Sequence, residues 1–531
     1  MAKQTQSPVE GQTPMGSIDH VVVLMLENRS FDQMLGYLYF DFKKNQPSRS
    51  KQEFDGLTGN ESCPDQAMTE VKVFPITSTT PHPYNMPGAN PREGFLATNV
   101  QLFGTENPQS GVIPNNKGFI ASFAAGISFD QAKGYRDTIP GVKPTDIMGM
   151  YHPDMLPVMS TLARSYAVCD CWFASVPTQT LPNRAFVNAG TSLGSLDNSM
   201  KYFGCKNIFG ELAAVGADWA IYGYNGTPRT KLDFPDTRDA DSSHFGHFQE
   251  FQERARDGKL PTYTFLEPSW GASGNSQHPN YDVATGEQLI SDVYNTLCGS
   301  PKWNQTLLII IYDEHGGNYD HATPPSGVPA PDKLVGSIDR FQFDRLGIRI
   351  PAILISPLIK EGTVFRPTDS FVDHTSVIKT LCEKNGIKPW NPRIAAASSL
   401  AGVLTLQQPR VGNVLTGVTP PAPSYDHPQS DQPSELDLVH ANQLASLQIP
   451  NEYGGHDHEM PQFTNSAEVA NYIHTRHAAW NSYQQRRKQM TLAPTPSFHK
   501  LVSGANDLQK VVSTQSKVAG NTKPKKARNK R

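Results

Sequence analysis

Several features that would place a chain of 531 residues in a familiar class are scarce or missing here. The six cysteines, Cys63, Cys169, Cys171, Cys205, Cys298 and Cys382, are too sparse for a disulfide framework. Cys169 and Cys171 lack a second Cys/His pair at zinc-finger spacing, so they read as mostly buried thiols. No apolar run approaches the ~18–20 residues that span a bilayer. Met1 to Gly16 is polar, with neither an apolar signal core nor a twin arginine. That pattern predicts a cytoplasmic protein or one exported by a leaderless route. Lys and Arg total 47 against 50 Asp and Glu, a net charge of −3, so the basic field a nucleic-acid partner demands is absent. There are no internal repeats, and oligomeric state has no signature.

What is present reads as a globular α/β protein. Hydrophobic residues make 37% of the chain, enough to bury a large core, while 41 Gly and 43 Pro make it rich in loops. Ile18 to Leu26, Leu307 to Tyr312 and Ile350 to Ile355 are short, apolar and β-branched, the mark of buried strands. Tyr166 to Phe173 resembles another strand, and Leu156 to Ser165 is helical in pattern. Tyr281 to Leu297 has Val283, Leu289, Ile290, Val293 and Leu297 at helical spacing. Apolar strands alternating with helices predict a mostly parallel central sheet covered by helices on both faces. Residues 41–145 are expected to be long loop insertions over an active site rather than a second core. The expected organisation is a flexible N-terminus (1–17), a catalytic domain (18–400), a loop-rich extension (401–490) and a basic tail (491–531). Within the extension, Ser466 would cap a packing helix to about Gln489 with Val469, Ile473, Trp480 and Tyr483 on one face. The tail carries seven basic residues from Lys517 to Arg531, a disordered segment or one that touches an anionic surface.

Two acidic clusters follow apolar strands directly: Glu27-Asn28, and Asp313-Glu314-His315-Gly316-Gly317. In an open parallel sheet, groups at the carboxyl ends of strands converge on the ligand crevice. Three carboxylates brought together there repel one another unless a cation neutralises them. The pattern therefore implies a divalent metal held by hard oxygen ligands, with Ca²⁺, Mg²⁺, Mn²⁺ and Zn²⁺ all admissible. A third element, Ser175 to Arg184, sets hydroxyls between prolines ahead of a helix. Beside a helix N-terminus and a metal, such a hydroxyl can act as a nucleophile.

The blocks HVVVLMLENRSFDQMLG, SVPTQTLPNRAFVNAGTS, NSQHPNYDV and YDEHGGNYDH, in this order, resemble the bacterial phosphoesterase family from about residue 18 to 385. That family includes phosphatidylcholine-type phospholipases C and acid phosphatases on an alkaline-phosphatase-like core. The resemblance implies that Glu27, Asp313, Glu314 and Thr180 hold one divalent metal. It also implies that Thr180, four residues before Arg184, is the nucleophile that becomes phosphothreonine. Asn28 corresponds to an amide that donates to a phosphoryl oxygen, and His278 to a histidine that protonates the leaving group. Arg184 and His315 complete the implied catalytic set. His315, Asp320, His321, Asp373 and His374 either hold a second cation or orient the ligands, with Glu267 and Asp282 in support. The resemblance implies a phospholipid or a small phosphate ester as substrate, with transient membrane contact. Trp172, Tyr151, Tyr281 and Trp270 are the aromatic residues available to face a choline head group. The chain departs from the family in the segment YNMPGANPREGFLATNVQLFG, which has no histidine where the family often places one, with His82 upstream and Glu93 nearby, and in carrying Thr-Gln-Thr at the nucleophile turn. A broad acid phosphatase on the same scaffold and a non-catalytic interaction protein are the competing expectations.

Overall fold

The computed structural model describes residues 14–492, apart from 41, 43–51, 110, 134–137, 201, 424–426, 428–430 and 456–458. Most of the expected flexible N-terminus and of the basic tail lies outside the described residues. The chain divides into two compact units, Met1–Ala479 and Trp480–Arg531. The described part of the second continues a helix, in which the Trp480 and Tyr483 rings lie 5.9 Å apart.

The central sheet has eight strands: β1 His20–Leu26, β2 Ala167–Val168, β3 Trp219–Gly223, β4 Phe245–His247, β5 Tyr263–Glu267, β6 Thr306–Tyr312, β7 Ala352–Ile355 and β8 Thr363–Val364. Their order is β8-β2-β7-β6-β1-β5-β3-β4. All pairings are parallel except those that β7 makes with β6 and β2. Every residue of β1 and β6 is buried, so both faces of the sheet centre are covered, as their unbroken Val/Ile/Leu runs require. The expected strand over 166–173 shrinks to two residues, followed by single bridges from Trp172 to Val372 and from Phe173 to Arg349.

The main helices are α1 Phe95–Phe103, α2 Phe119–Lys133, α3 Pro157–Ser165, α4 Thr180–Ala189, α5 Val283–Cys298, α6 Thr375–Asn385, α7 Glu435–Ala445 and α8 Ser466–Leu492. Helix α3 packs on α5, and α4 on α6. Pro157 opens α3, and two of its first-turn N–H groups donate to buried Glu287 on α5, at 2.7 Å from Val158 and 3.0 Å from Met159.

Two expectations need correction. Residues 41–145 contain α1 and α2, and these build a second apolar cluster around Leu57, Cys63, Leu102, Phe119, Ile120, Phe123 and Ile127. Phe119, Ile120, Phe123 and Ile127 follow helical spacing, but the Pro- and Gly-rich text on either side hides it. In the extension, α7 joins the expected α8, capped reciprocally by Ser434 and Asp437 and anchored by buried Leu436, Ala441 and Leu444.

A buried ion network ties the loop after β1 to the rest of the unit. Arg349 reaches Asp320 at 2.9 Å, Asp32 at 3.0 Å and Asp55 at 3.2 Å. His321 Nδ1 lies 2.7 Å from Asp32. Burial alone would lower the His321 pKa, but hydrogen bonds to Asp32 and Asp55, and the charges of Asp32 and Asp320, push it up to about 10. Replacing Arg349 with Met should cost ~3–5 kcal/mol in denaturant unfolding, because buried carboxylates lose their counter-charge. The stability supplied by His321 is complete below its ordinary value of 6.5 and is lost as pH rises through about 10. Unfolding scans of wild type and His321→Asn should therefore converge above that pH; a constant gap would contradict the network's role.

Candidate active site

The parallel pairing of β1 with β6 brings Leu26 level with Tyr312, so Glu27-Asn28 and Asp313-Glu314 leave the sheet side by side. The Asp313 N–H donates to Leu26 O at 3.2 Å, and the Asn28 N–H donates to Asp313 Oδ1 at 2.9 Å. Asn28 adopts a left-handed backbone, φ 56°, which asparagine tolerates better than most residues. Gly316 closes over it: a Cβ there would lie 1.9 Å from Asn28 O, so the first glycine of the Asp-Glu-His-Gly-Gly block is obligatory.

Thr180 is the first residue of α4, and its hydroxyl donates to Asn28 Oδ1 at 3.4 Å. Arg184, one turn later, donates from Nε to Asp313 Oδ2 at 3.1 Å while its guanidinium lies 4.9 Å from the Trp270 ring centre. Glu27, Asn28, Thr180, His278 and Tyr281 line a cavity of about 170 Å³, while Arg184, Asp313 and Glu314 stand outside its lining. Further parts of the wall were not foreseen: Asn90, Glu93, Asn198 and the segment Gln432 to Leu436 of the extension. Glu93 sits where the sequence departs from the family's histidine pattern, which was its only signal. Glu435 had none, because a solvent-facing residue after a proline-rich stretch carries no periodicity.

The cavity holds more buried acid than base. Burial, then the Asp313 charge, pushes Glu27 up to about 8 against the pull of Arg184 and of a Ser276 hydrogen bond. Burial and then Glu435 raise Glu93 to about 8, against a hydrogen bond with Gln179. Burial, followed by the charges of Glu93 and Asp313, holds Glu314 well above the usual carboxylate range. Glu314 Oε1 is buried without a hydrogen-bond partner among the described residues, while Oε2 accepts from the Gly316 N–H at 2.7 Å. Burial lowers His278 to about 4, so in the free cavity it is a neutral imidazole with Nδ1 3.1 Å from Pro279 O.

Other expected site residues stand behind the cavity wall or away from it. His315 is not at the cavity: its Nε2 lies 2.8 Å from Gln101 Oε1, its Nδ1 lies 3.3 Å from Glu314, and burial lowers it to about 3. Its ring therefore contacts Gln101 and Glu314 rather than the cavity. His374 Nε2 donates to Asp313 O at 2.6 Å, and its Nδ1 accepts from the Trp172 indole at 3.4 Å. Asp373 pairs with Arg393 at 3.2 Å. Asp320 and His321 belong to the Arg349 network. Glu267 accepts from the Arg229 and Thr230 N–H groups, and Asp282 caps α5. Of the four aromatics, only Tyr281 lines the cavity; Trp172 and Tyr151 are fully buried, and Trp270 lines a neighbouring cavity.

Among the described residues, Asp32, Asp320 and His321 are the one His/Cys/Asp/Glu triad whose ligand atoms lie within 4.8 Å of one another. Arg349 already neutralises that triad. Glu27, Asp313 and Glu314 are not drawn so close, and Asp313 is turned toward Arg184. The chemistry of the cavity nevertheless fits a hard divalent cation: Glu27 and Glu314 are buried without a counter-charge of their own, and one Glu314 oxygen is unpartnered. In metal-free protein, the stability tied to protonated Glu27 and Glu93 is complete below 4.5 and is lost as pH rises through about 8. Added divalent cation should therefore raise the melting temperature more at pH 9 than at pH 5, where protons compete for the same oxygens. Glu27→Gln should shrink that difference, and an equal shift at both pH values would argue against these ligands.

Comparison with known proteins shows the family of the chain. The Phosphoesterase family profile matches residues 18–388. Non-specific phospholipase C3 of Arabidopsis thaliana is 34% identical over 445 residues, covering 78% of this chain and 78% of its own length. Non-specific phospholipase C6 of the same plant is 36% identical, covering 71% and 68%. Phospholipase C B of Mycobacterium tuberculosis is 26% identical, covering 78% and 81%. Among solved structures, an alkaline phosphatase superfamily protein from Vibrio parahaemolyticus overlaps 45% of this chain and 62% of its own, at 15% identity and a TM-score of 0.28. The relatives extend the expected bacterial grouping to plants, and this chain belongs to the phosphoesterase family.

Proposed function

We propose that the protein is a phospholipase C that cleaves the glycerol–phosphate bond of phosphatidylcholine-like lipids through a phosphothreonine on Thr180. The observation that carries this reading is the Thr180 hydroxyl at the first residue of α4, facing Asn28 inside a cavity that also presents His278. The names of the relatives point to the same chemistry.

Thr180 Oγ1 releases its proton to solvent and attacks phosphorus, forming the Thr–O–P bond while the P–O bond to the diacylglycerol breaks. Asn28 Oδ1 is engaged by the Thr180 hydroxyl, which leaves the Asn28 amide N–H₂ to donate to a non-bridging oxygen. The anionic phosphoryl group raises the pKa of the neighbouring His278, which takes up a proton and delivers it to the departing glycerol oxygen. Water then hydrolyses the phosphothreonine, releasing the phosphorylated head group and restoring the hydroxyl. A divalent cation held by Glu27, Glu314 and the Thr180 hydroxyl, with Asp313 shared between it and Arg184, would supply charge neutralisation and a lowered hydroxyl pKa. A cavity of about 170 Å³ suits a phosphorylated head group and leaves the acyl chains outside. Glu435 at its exposed edge disfavours the extra negative charge of a phosphomonoester.

The test is hydrolysis of chromogenic phosphorylcholine and of the plain chromogenic phosphate, with and without chelator. Diester cleavage should fall at least ~10³-fold in Thr180→Ala, ~10²-fold in Asn28→Ala, and to background with chelator. Cleavage of the monoester alone would make the protein an acid phosphatase, and near-wild-type activity of Thr180→Ala would remove Thr180 as nucleophile.

A further inference from the structure

The extension after residue 400 enters the cavity in a specific way. Asn198 Oδ1 accepts from the Leu181 N–H at 2.9 Å, one residue past the nucleophile and in the first turn of α4. The Asn198 backbone N–H donates to Gln179 Oε1 at 3.2 Å, and Gln179 is the N-cap of α4, whose side chain makes no cap hydrogen bond of its own. The remaining Asn198 group, Nδ2, donates to Glu435 Oε1 at 2.9 Å, where α7 begins. Asn198 and Glu435 both line the cavity that holds Thr180.

The geometry points to Glu435 as a positioning residue for the nucleophile: its carboxylate orients the Asn198 amide, and that amide fixes the first turn of α4 and with it the Thr180 hydroxyl. The physical reason is the helix end. The first N–H groups of a helix have no intrahelical acceptor, and Gln179 does not supply the side-chain oxygen that a Ser or Asp cap would. Asn198 substitutes for that cap from a distant part of the chain. An amide can flip, presenting N–H₂ in place of oxygen to Leu181; a carboxylate on Nδ2 makes the productive orientation the stable one. The α7 start thus contributes to catalysis without touching the substrate. This inference rests on the phospholipase C reading for its kinetic consequence, but not for its structural one.

The experiment compares wild type with Glu435→Ala, Glu435→Gln, Asn198→Ala and the double alanine variant, on chromogenic phosphorylcholine and by amide exchange of Leu181. Glu435→Ala should lower kcat about 3- to 10-fold with little change in KM, and speed Leu181 exchange by a similar factor. Glu435→Gln still offers an oxygen to Asn198 and should recover most of both losses. The double variant should be no worse than Asn198→Ala alone, the sign that both residues act along one path. Unchanged kcat and exchange in Glu435→Ala, additive losses in the double variant, or a Glu435→Gln as impaired as Glu435→Ala would each overturn the proposal. If wild type hydrolyses neither this substrate nor the plain phosphate, the phospholipase C reading fails, while Leu181 exchange still decides the role of Glu435.

Discussion

The site depends on the way Asp313 is held. Its Oδ1 accepts from the N–H groups of Asn28 and Glu314, its Oδ2 from Arg184, and its carbonyl from His374. One buried side chain therefore joins the ends of β1 and β6 to helix α4 and to the start of α6. Arg184 and Thr180 lie one helical turn apart, so the pairing that neutralises Asp313 also fixes which way the Thr180 hydroxyl points. Trp172 donates to His374 from the loop that leads into the start of α4, which closes the frame.

Charge balance separates this frame from the reacting surface. Away from the cavity, several buried acids have an arginine in contact: Asp32 and Asp320 have Arg349, Asp373 has Arg393, and Asp233 has Arg229 in two parallel hydrogen bonds, while Glu287 is held by the Val158 and Met159 N–H groups instead. Such pairs recover part of the cost of burying charge. Glu27, Glu93 and Glu314 have no such partner, and their carboxyls are pushed upward by burial and by their neighbours. Glu27 and Glu93 line the cavity together with the Thr180 hydroxyl, and such a gathering of raised carboxyls marks a candidate functional site.

Much of the centre was legible because its signals are local. Unbroken apolar runs marked β1 and β6, the 3.6-residue spacing marked α5, and Glu27, Asn28 and Asp313 follow those strands without a gap. Thr180 and Arg184 share one short block. His315 was misjudged because adjacency to Asp313 and Glu314 says nothing about direction: its ring turns back to Gln101, 214 residues away. The helices of 95–133 were missed because the Pro- and Gly-rich text around them outweighed a weak amphipathic pattern.

The sequence alone determined the α/β class and the two strands that carry the acids, since each follows from residues within a dozen positions of one another. Tertiary structure decided what closes the cavity and what each charge meets. Glu93 reaches the wall through the insertion, and Glu435 reaches Asn198 across 237 positions of chain. Hydrogen bonds and Coulomb forces act over a few ångströms of space, whatever the separation along the chain, so only the folded chain reveals these partners.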